Sequence, residues 1–488
     1  MSNNSSATRE TADDEQPPSN SDIAAATAET PAKEHTASTT LMPHLSAFIE
    51  TGLIVVGLLA TFFLLPRTLG NDGALRYKDL VALLSHQAAD SKYSLIGPIF
   101  SLPLLLIGRK LGHPEDWIRV YNQVLFALSL LINYFVLRNH IDRGLLRKFF
   151  LLLIVASMFV AHLAFFYGEV FTALCAGFGI LAIYLRFAAP AGWLALVLGV
   201  ANTPATLAGL GLMALKRVID NRRFRYLLVI IAAAALIALE SWLRRGNPLG
   251  SGYADDHGFP TIMPYSGRPG FSYPLFFGVL SLLFSFGKGL LFFAPGLLLP
   301  VRKTLLKWHP QGSRIPLDRV YILWLCFLVG LIFIYAQWWA WYGGPFWGPR
   351  FLLFASIPAS FALATRLHYR DAGLPVNLLT LGIFVLSVWV CIDGSIYQWA
   401  TSPRQIPLCV GNNYNLEMIC YYTPEFSPLW LPFVKHYSLS IQQILYLAYI
   451  LISAAYLITP LAIQIVQQIR ALVRKYGKDY LKAGTWRI

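Results

Sequence analysis

Asp72, Glu169, Asp255, Asp256, Lys288 and Arg350 are the side chains in this sequence whose types and placement could do chemistry. Each lies close to the end of a long apolar run or in the loop that adjoins one. A carboxylate so placed can take a proton from an acceptor hydroxyl or amine. An arginine offers a planar fork of donors to a phosphate, and a lysine offers a point charge. Ionisable groups at a membrane boundary are costly enough to be functional candidates. Together these residue types offer a base and cations that could hold a phosphate.

Each residue also has a plainer reading. Asp72 sits in Asn71-Asp72-Gly73, a good turn, and residue type alone favours the turn. Glu169, in Tyr167-Gly168-Glu169, is equally an acid at a helix start. Asp255 and Asp256 stand in the glycine-rich stretch GSGYADDHG; they are solvated loop acids, or ligands of a divalent metal with no further ligand spacing to support it. His257 beside them is weak alone, and His162, inside an apolar run, reads as a core histidine. Lys288 and Arg350 could simply snorkel to the interface. Their neighbours argue against that: Lys288 stands between two glycines, which permit close approach, and Arg350 follows Gly348-Pro349, which fixes its local geometry.

Arg350 closes the stretch QWWAWYGGPFWGPRF, residues 337–351. Tryptophans gather at membrane interfaces as a belt, but a belt does not need Gly343, Gly344, Gly348 and two prolines among its rings. The glycines predict a shaped loop, and Trp341 within it is a candidate stacking surface for a sugar.

These residues must be positioned by membrane helices. The chain has 488 residues, 56% hydrophobic and 13% charged, against about 25% charged in a soluble domain. Apolar runs of about 18 residues or more recur, long enough to cross a bilayer. The fold class expected is an all-α polytopic membrane protein. The net charge is +14; residues 1–44 contribute −5, so the remainder carries +19. That excess falls in short segments, RNHIDRGLLRK (138–148), KRVIDNRRFRY (216–226), RKTLLKWHPQGSR (302–314) and the tail from Arg470, as expected of cytoplasmic loops. A basic chain could also suggest nucleic acid, but this placement makes membrane topology the simpler use.

Threading on that basis gives about ten spans plus a hairpin of two short helices broken at Asn202-Thr203-Pro204-Ala205. It places three loops, 66–116, 244–286 and 396–440, on the outer face with the candidate residues. Tyr93–Ile107 is apolar but short and holds two prolines, so it is expected to lie at the surface. Residues 1–44, acidic and without an apolar face, are expected to be a disordered cytoplasmic tail; 45–470 is the membrane unit; 471–488 is a basic cytoplasmic tail suited to anionic lipid. No signal peptide is expected, the first span serving as uncleaved signal. Cys175, Cys326 and Cys391 read as core residues, while Cys409 and Cys420 share one polar loop and either pair or stay free.

Taken in order, these features resemble the GT-C membrane glycosyltransferases, the superfamily of protein O-mannosyltransferases and lipid A aminoarabinose transferases. Asp72 comes just after the first span. KYSLIGPIFSLPLLLIGRKLG looks like the family's surface segment, though without its paired prolines. WIRVYNQVLFAL, with Arg119, resembles an arginine entering the second span. FYGEVFTALCAGFGILAIYL looks like the short outer turn with its acid, Glu169, and WLALVLGVANTPATLAGLGLMALKR like the hairpin. NPLGSGYADD, FGKGLLFFAPGLLLP and WWAWYGGPFWGPRFLL are similar to stretches of many bacterial members. The resemblance covers about residues 45–370.

The resemblance implies a bundle of roughly 10–12 transmembrane helices with juxtamembrane helices on the outer face of the plasma (inner) membrane, both termini cytoplasmic. It implies transfer of a sugar from a polyprenyl-phosphate carrier to a glycan, lipid or protein acceptor. Asp72 would be the base or would orient the acceptor; Lys288 and Arg350 would hold the phosphate; Glu169, Asp255, Asp256, Arg119 and Trp341 would contact substrate. Some members use a divalent cation and others none. Two rivals from other classes stand beside this reading: a flippase or transporter of lipid-linked sugars, and a non-catalytic assembly subunit. Transporters place coupling charges near the midplane, whereas the charges here crowd toward one face.

Overall fold

The computed structural model describes residues 38–250, 252–253, 257–258, 260–307 and 315–483. Residues 1–46 and 47–488 form separate units, and the helical bundle is built from the second. Among the described residues there is no strand, only two isolated bridges. The protein is an all-α polytopic membrane protein.

Fourteen helices carry the architecture: α1 (Ser38–Leu64), α2 (Gly70–Leu84), α3 (Leu102–Leu111), α4 (Tyr121–Leu137), α5 (Arg143–Val155), α6 (Gly168–Ala182), α7 (Ala189–Asn202), α8 (Leu207–Asn221), α9 (Leu228–Arg245), α10 (Leu275–Phe284), α11 (Leu317–Tyr335), α12 (Ser356–His368), α13 (Leu374–Ile392) and α14 (Ile441–Ala483). Among the described residues six segments are long and apolar enough to cross a membrane: His44–Leu64, Phe224–Arg245, Leu317–Tyr335, Arg350–His368, Leu374–Gln405 and Ile441–Lys475. Helices α4, α6, α7 and α10 are apolar but shorter. The full-length spans are thus fewer than an apolar-run count suggests, because several runs are broken. The run from Phe149 stops at Val155, turns at Ser157 and resumes only as the short helix Phe159–Leu163. Gly289–Val301 likewise holds only two short helical turns.

The core lies on α5 and α12. Helix α5 is buried from Leu145 to Val155, and α12 is buried nearly throughout. A helix apolar all round is one surrounded by protein. Phe149 meets Phe361 edge to face at 5.4 Å, and the Trp324 indole donates to the Gly177 carbonyl at 2.9 Å. Small residues set the closest helix approach: a Cβ on Gly330 would sit 2.5 Å from the Gly209 Cα, so α8 and α11 touch backbone to backbone.

Ion pairs mark one end of the bundle. There Arg147 meets Glu50 at 2.7 Å, with Lys148 on the same carboxylate, and His368 meets Asp142 at 3.1 Å. Arg366 and Lys307 face Asp371 at 3.6 and 3.7 Å. The basic segments 138–148 and 302–307 therefore gather at this end. The hairpin α7–α8 opens there too: Arg217 lies over Tyr184 at 4.7 Å, and Trp193 packs on Tyr226. Its break, Asn202 to Thr206, points to the opposite end. The fourteen residues of α7 rise about 21 Å, less than a hydrocarbon core of about 30 Å. Helix α7 alone is therefore too short to cross a membrane.

Tyr93–Ile107 is no span. It holds the short helix Ile96–Ile99 and the start of α3, and Gly97 there is tied to the hairpin by its N–H donating to Asn202 Oδ1 at 2.9 Å. The 471–488 tail begins as helix, α14 continuing to Ala483.

Candidate functional site

Asp72 lies in the first turn of α2, directly after a linker that folds back on the chain. Thr68 N–H donates to the Ala164 carbonyl at 2.9 Å, and Thr68 bridges Phe165. Asn122 Nδ2 holds the same segment through the carbonyls of Phe165 and Tyr167, at 2.6 and 3.0 Å. The turn carrying Glu169 is thereby fixed beside Asp72. Asn202, at the hairpin break, donates to the Gly168 carbonyl at 2.8 Å while accepting from Gly97. A break packed inside a helical bundle needs such local partners, and here those partners belong to the site.

Arg350 completes the constellation. Its Nη1 donates to Asp72 Oδ2 at 2.5 Å, and its Nε stands 3.9 Å from Glu169 Oε1. The guanidinium is enclosed by the rings of Tyr167, Phe346 and Phe351, at 5.1, 4.8 and 5.2 Å to their centroids. Glycine makes this possible: Gly343 has φ +72°, and a Cβ there would meet the Arg350 side chain at 3.1 Å. The loop 337–351 closes on its own arginine, and a side chain on Gly343 would prevent it.

Two further residues belong to the site and were not singled out in the sequence. Arg76, one helical turn after Asp72 on the same face of α2, lies over the Tyr93 ring at 4.5 Å. It is 6% exposed, and its Nε and Nη1 have no hydrogen-bond partner. Tyr93 hydrogen-bonds Asp72. Tyr93 is held there by Arg244, whose N–H groups are used on the carbonyls of Ala89, Ser91 and Tyr93 and on Asp79 and Glu240, at 2.6 to 3.1 Å. The i, i+4 spacing of Asp72 and Arg76 was the available signal for Arg76. Nothing local signalled Tyr93.

Burial alone would raise the Asp72 carboxyl, but Arg350, Arg76 and the Tyr93 hydroxyl outweigh it and leave it below the ordinary carboxylate range. Burial, reinforced by Asp72, pushes the Tyr93 phenol far up. Tyr93 is therefore a donor to Asp72 and not a base.

Lys288 has a different task from the expected phosphate contact. It is 0% exposed, and its ammonium donates to the carbonyls of Gly344, Phe346 and Gly348 at 3.1, 2.6 and 3.0 Å. An ammonium has three donors, so none is left for a phosphate. Lys288 clamps the loop that carries Arg350. Behind it, the Tyr421 hydroxyl lies 2.8 Å from Glu417 and 3.3 Å from the Gly344 carbonyl. Burial raises the Glu417 carboxyl, and the hydroxyls of Tyr421 and Tyr342 with Lys288 oppose the shift. Cys409 and Cys420 form a disulfide that braces this segment.

Trp341 does not offer a stacking face. It is 1% exposed, packed among Tyr273, Tyr342, Tyr421 and Tyr422. Trp347 is also buried, its indole donating to Asp393 at 2.6 Å. The tryptophans fill the loop's interior, and Trp339 alone among them is left half-buried. Arg119 pairs with Glu115 and Asp116 on its own short helix, and neither partner belongs to the Asp72 cluster. Asp255 and Asp256 lie outside the described residues. Among the described residues no group of three or more His, Cys, Asp or Glu is placed to hold a metal ion.

The arrangement is a buried centre of two acids and two guanidiniums, Asp72, Glu169, Arg76 and Arg350, at one end of a membrane bundle. No family model, curated protein or solved structure matches this chain.

Proposed function

We propose that this protein is a membrane glycosyltransferase that moves a sugar from a polyprenyl-phosphate carrier to an acceptor at the end of the bundle holding Asp72 and Arg350. The observation that carries the reading is the Asp72–Arg350 pair with Arg76 beside it. A carboxylate able to meet an acceptor proton adjoins a buried guanidinium with unused donors.

Arg76 replaces Lys288 as the residue that would take the phosphate. Its Nε and Nη1, without partners on two edges of the guanidinium, leave a charge and donors for phosphate oxygens. In the transfer step the acceptor hydroxyl oxygen bonds to the anomeric carbon. The bond from that carbon to the carrier phosphate oxygen breaks, and the phosphate leaves with the electron pair, its charge met by Arg76 and Arg350. The acceptor proton goes to Asp72. With its carboxyl held low, Asp72 is a weak base. Its first contribution is to orient the acceptor O–H, and proton transfer comes after bond formation, when that oxygen has become acidic. Direct displacement inverts the anomeric centre.

The hairpin broken beside Glu169 favours a second reading. It resembles the discontinuous helices of transporters, which suits a flippase of the same lipid. Purified protein in nanodiscs, given radiolabelled polyprenyl-phosphate sugars and membrane extract, separates the two. Transfer by wild type and its loss in Asp72→Asn support the transferase. Carrier binding and transbilayer movement without transfer support the flippase.

A further inference from the structure

A small cleft opens beside the charged centre, lined by Glu169, Thr172, Thr203 and Thr206 together with rings that include Phe351 and Phe354. Its volume for a water centre is about 10 Å³, enough for one water or one hydroxyl. It lies at the hairpin break, and two of its three threonines come from the turn between Asn202 and Thr206.

The hydrogen bonds of these threonines decide what the cleft accepts. Thr172 Oγ1 donates to the Gly199 carbonyl at 2.8 Å, so in its 2.8 Å contact with Thr203 Oγ1 the donor is Thr203. Thr206 Oγ1 donates to the Thr203 carbonyl at 2.7 Å. The three hydroxyl protons are committed, and lone pairs on Thr203 and Thr206 remain. Glu169 Oε2 is buried without a partner. Behind the lining, on the far side of Glu169 from it, the unused donor nearest to this carboxylate by a known distance is Arg350 Nε, which is also buried and partnerless. It stands 3.9 Å from Glu169 Oε1, beyond hydrogen-bond reach.

A hydroxyl in the cleft satisfies the partnerless Glu169 oxygen by donating to it. An anion does not, since it would face a carboxylate and threonine lone pairs. We propose that this cleft is the specificity subsite for the transferred sugar, that it takes one hydroxyl on the edge of an uncharged pyranose or furanose, and that it rejects uronic acids. The inference rests on the glycosyltransferase reading and adds the substrate class and two residues, Thr203 and Thr206.

Equilibrium binding in nanodiscs tests it without requiring turnover. The probes are polyprenyl phosphate and its glucosyl, arabinosyl and glucuronosyl esters, measured on wild type, Thr206→Val, Thr206→Ser and Glu169→Gln. Wild type should bind a neutral glycosyl ester at least about tenfold more tightly than the bare carrier or the glucuronosyl ester, a bonded hydroxyl contributing about 1.4 kcal/mol or more. Thr206→Val should weaken that preference, because it takes away hydroxyl lone pairs that line the cleft. Thr206→Ser should restore it, which a merely misfolded turn would not allow. Glu169→Gln should narrow the gap between neutral and glucuronosyl esters. Equal binding of all four lipids by wild type, or a preference unchanged in both Thr206→Val and Glu169→Gln, overturns the subsite and leaves carrier binding standing. Failure of wild type to bind any of them overturns the glycosyltransferase reading and the subsite with it.

Discussion

Lys288→Met keeps the apolar stem of the side chain and removes its ammonium. The cost can be worked from the three carbonyls it serves. The Gly344 carbonyl has two other donors, Phe346 N–H at 2.8 Å and the Tyr421 hydroxyl at 3.3 Å, and the Gly348 carbonyl accepts Arg350 N–H at 3.2 Å. Only the Phe346 carbonyl loses its sole described partner. One buried carbonyl left bare costs about 1–3 kcal/mol. The two weakened bonds add to this, and relief from burying a cation subtracts. A net loss of about 2 kcal/mol, local to the loop, is expected. That corresponds to a roughly 30-fold rise in the opening equilibrium. Hydrogen exchange by mass spectrometry in nanodiscs should show it at residues 343–350, with α5 and α12 unchanged. Carrier binding should weaken only in proportion to the loop's opening. Unchanged exchange across 343–350, together with abolished carrier binding, would refute the clamp and return Lys288 to the phosphate.

Other perturbations reach other parts of the molecule. Asp142 caps α5 by accepting from Gly144 and Leu145 N–H at 2.8 and 3.0 Å, so Asp142→Ala should cost about 1 kcal/mol in a denaturation assay. His368 and those N–H groups hold the Asp142 carboxyl far below its usual value. Its contribution is therefore complete above the unfolded carboxyl pKa of about 4 and is lost only as pH falls through the lower folded value. Asp72 is lowered too, so the same sign holds, and transfer should show no acid limb from Asp72 between about pH 5 and pH 7; an acid limb of wild-type transfer in that range, with carrier binding flat across it, would contradict the Arg350 pairing. Reducing Cys409–Cys420 should destabilise the Glu417–Tyr421 brace by about 2–4 kcal/mol. Hydrogen exchange across residues 409–422 should rise on reduction, and unchanged exchange there would contradict the brace. Glu50→Gln should cost about 3–5 kcal/mol, because it leaves Arg147 buried against a neutral partner.

The sequence by itself determined the class of molecule and the end of it that matters. Apolar runs in a chain with 13% charged residues leave no other fold class. The break at Asn202-Thr203-Pro204 was legible because proline cannot continue a helix and polar residues there need partners. Asp72, Glu169 and Arg350 were legible as charges beside apolar runs, and the structure brings all three together. Only the tertiary structure decided which cations are engaged and which are free. Lys288 and Arg76 look alike in sequence as cations at the edge of apolar segments. One is saturated by carbonyls 56 to 60 residues away, and the other keeps two donors unused. Likewise, whether a tryptophan offers its face depends on rings brought in from elsewhere: Trp341 is covered by Tyr421 and Tyr422, some eighty residues on. Burial and hydrogen-bond saturation are properties of contacts between distant segments, and local sequence carries no record of which partner will arrive.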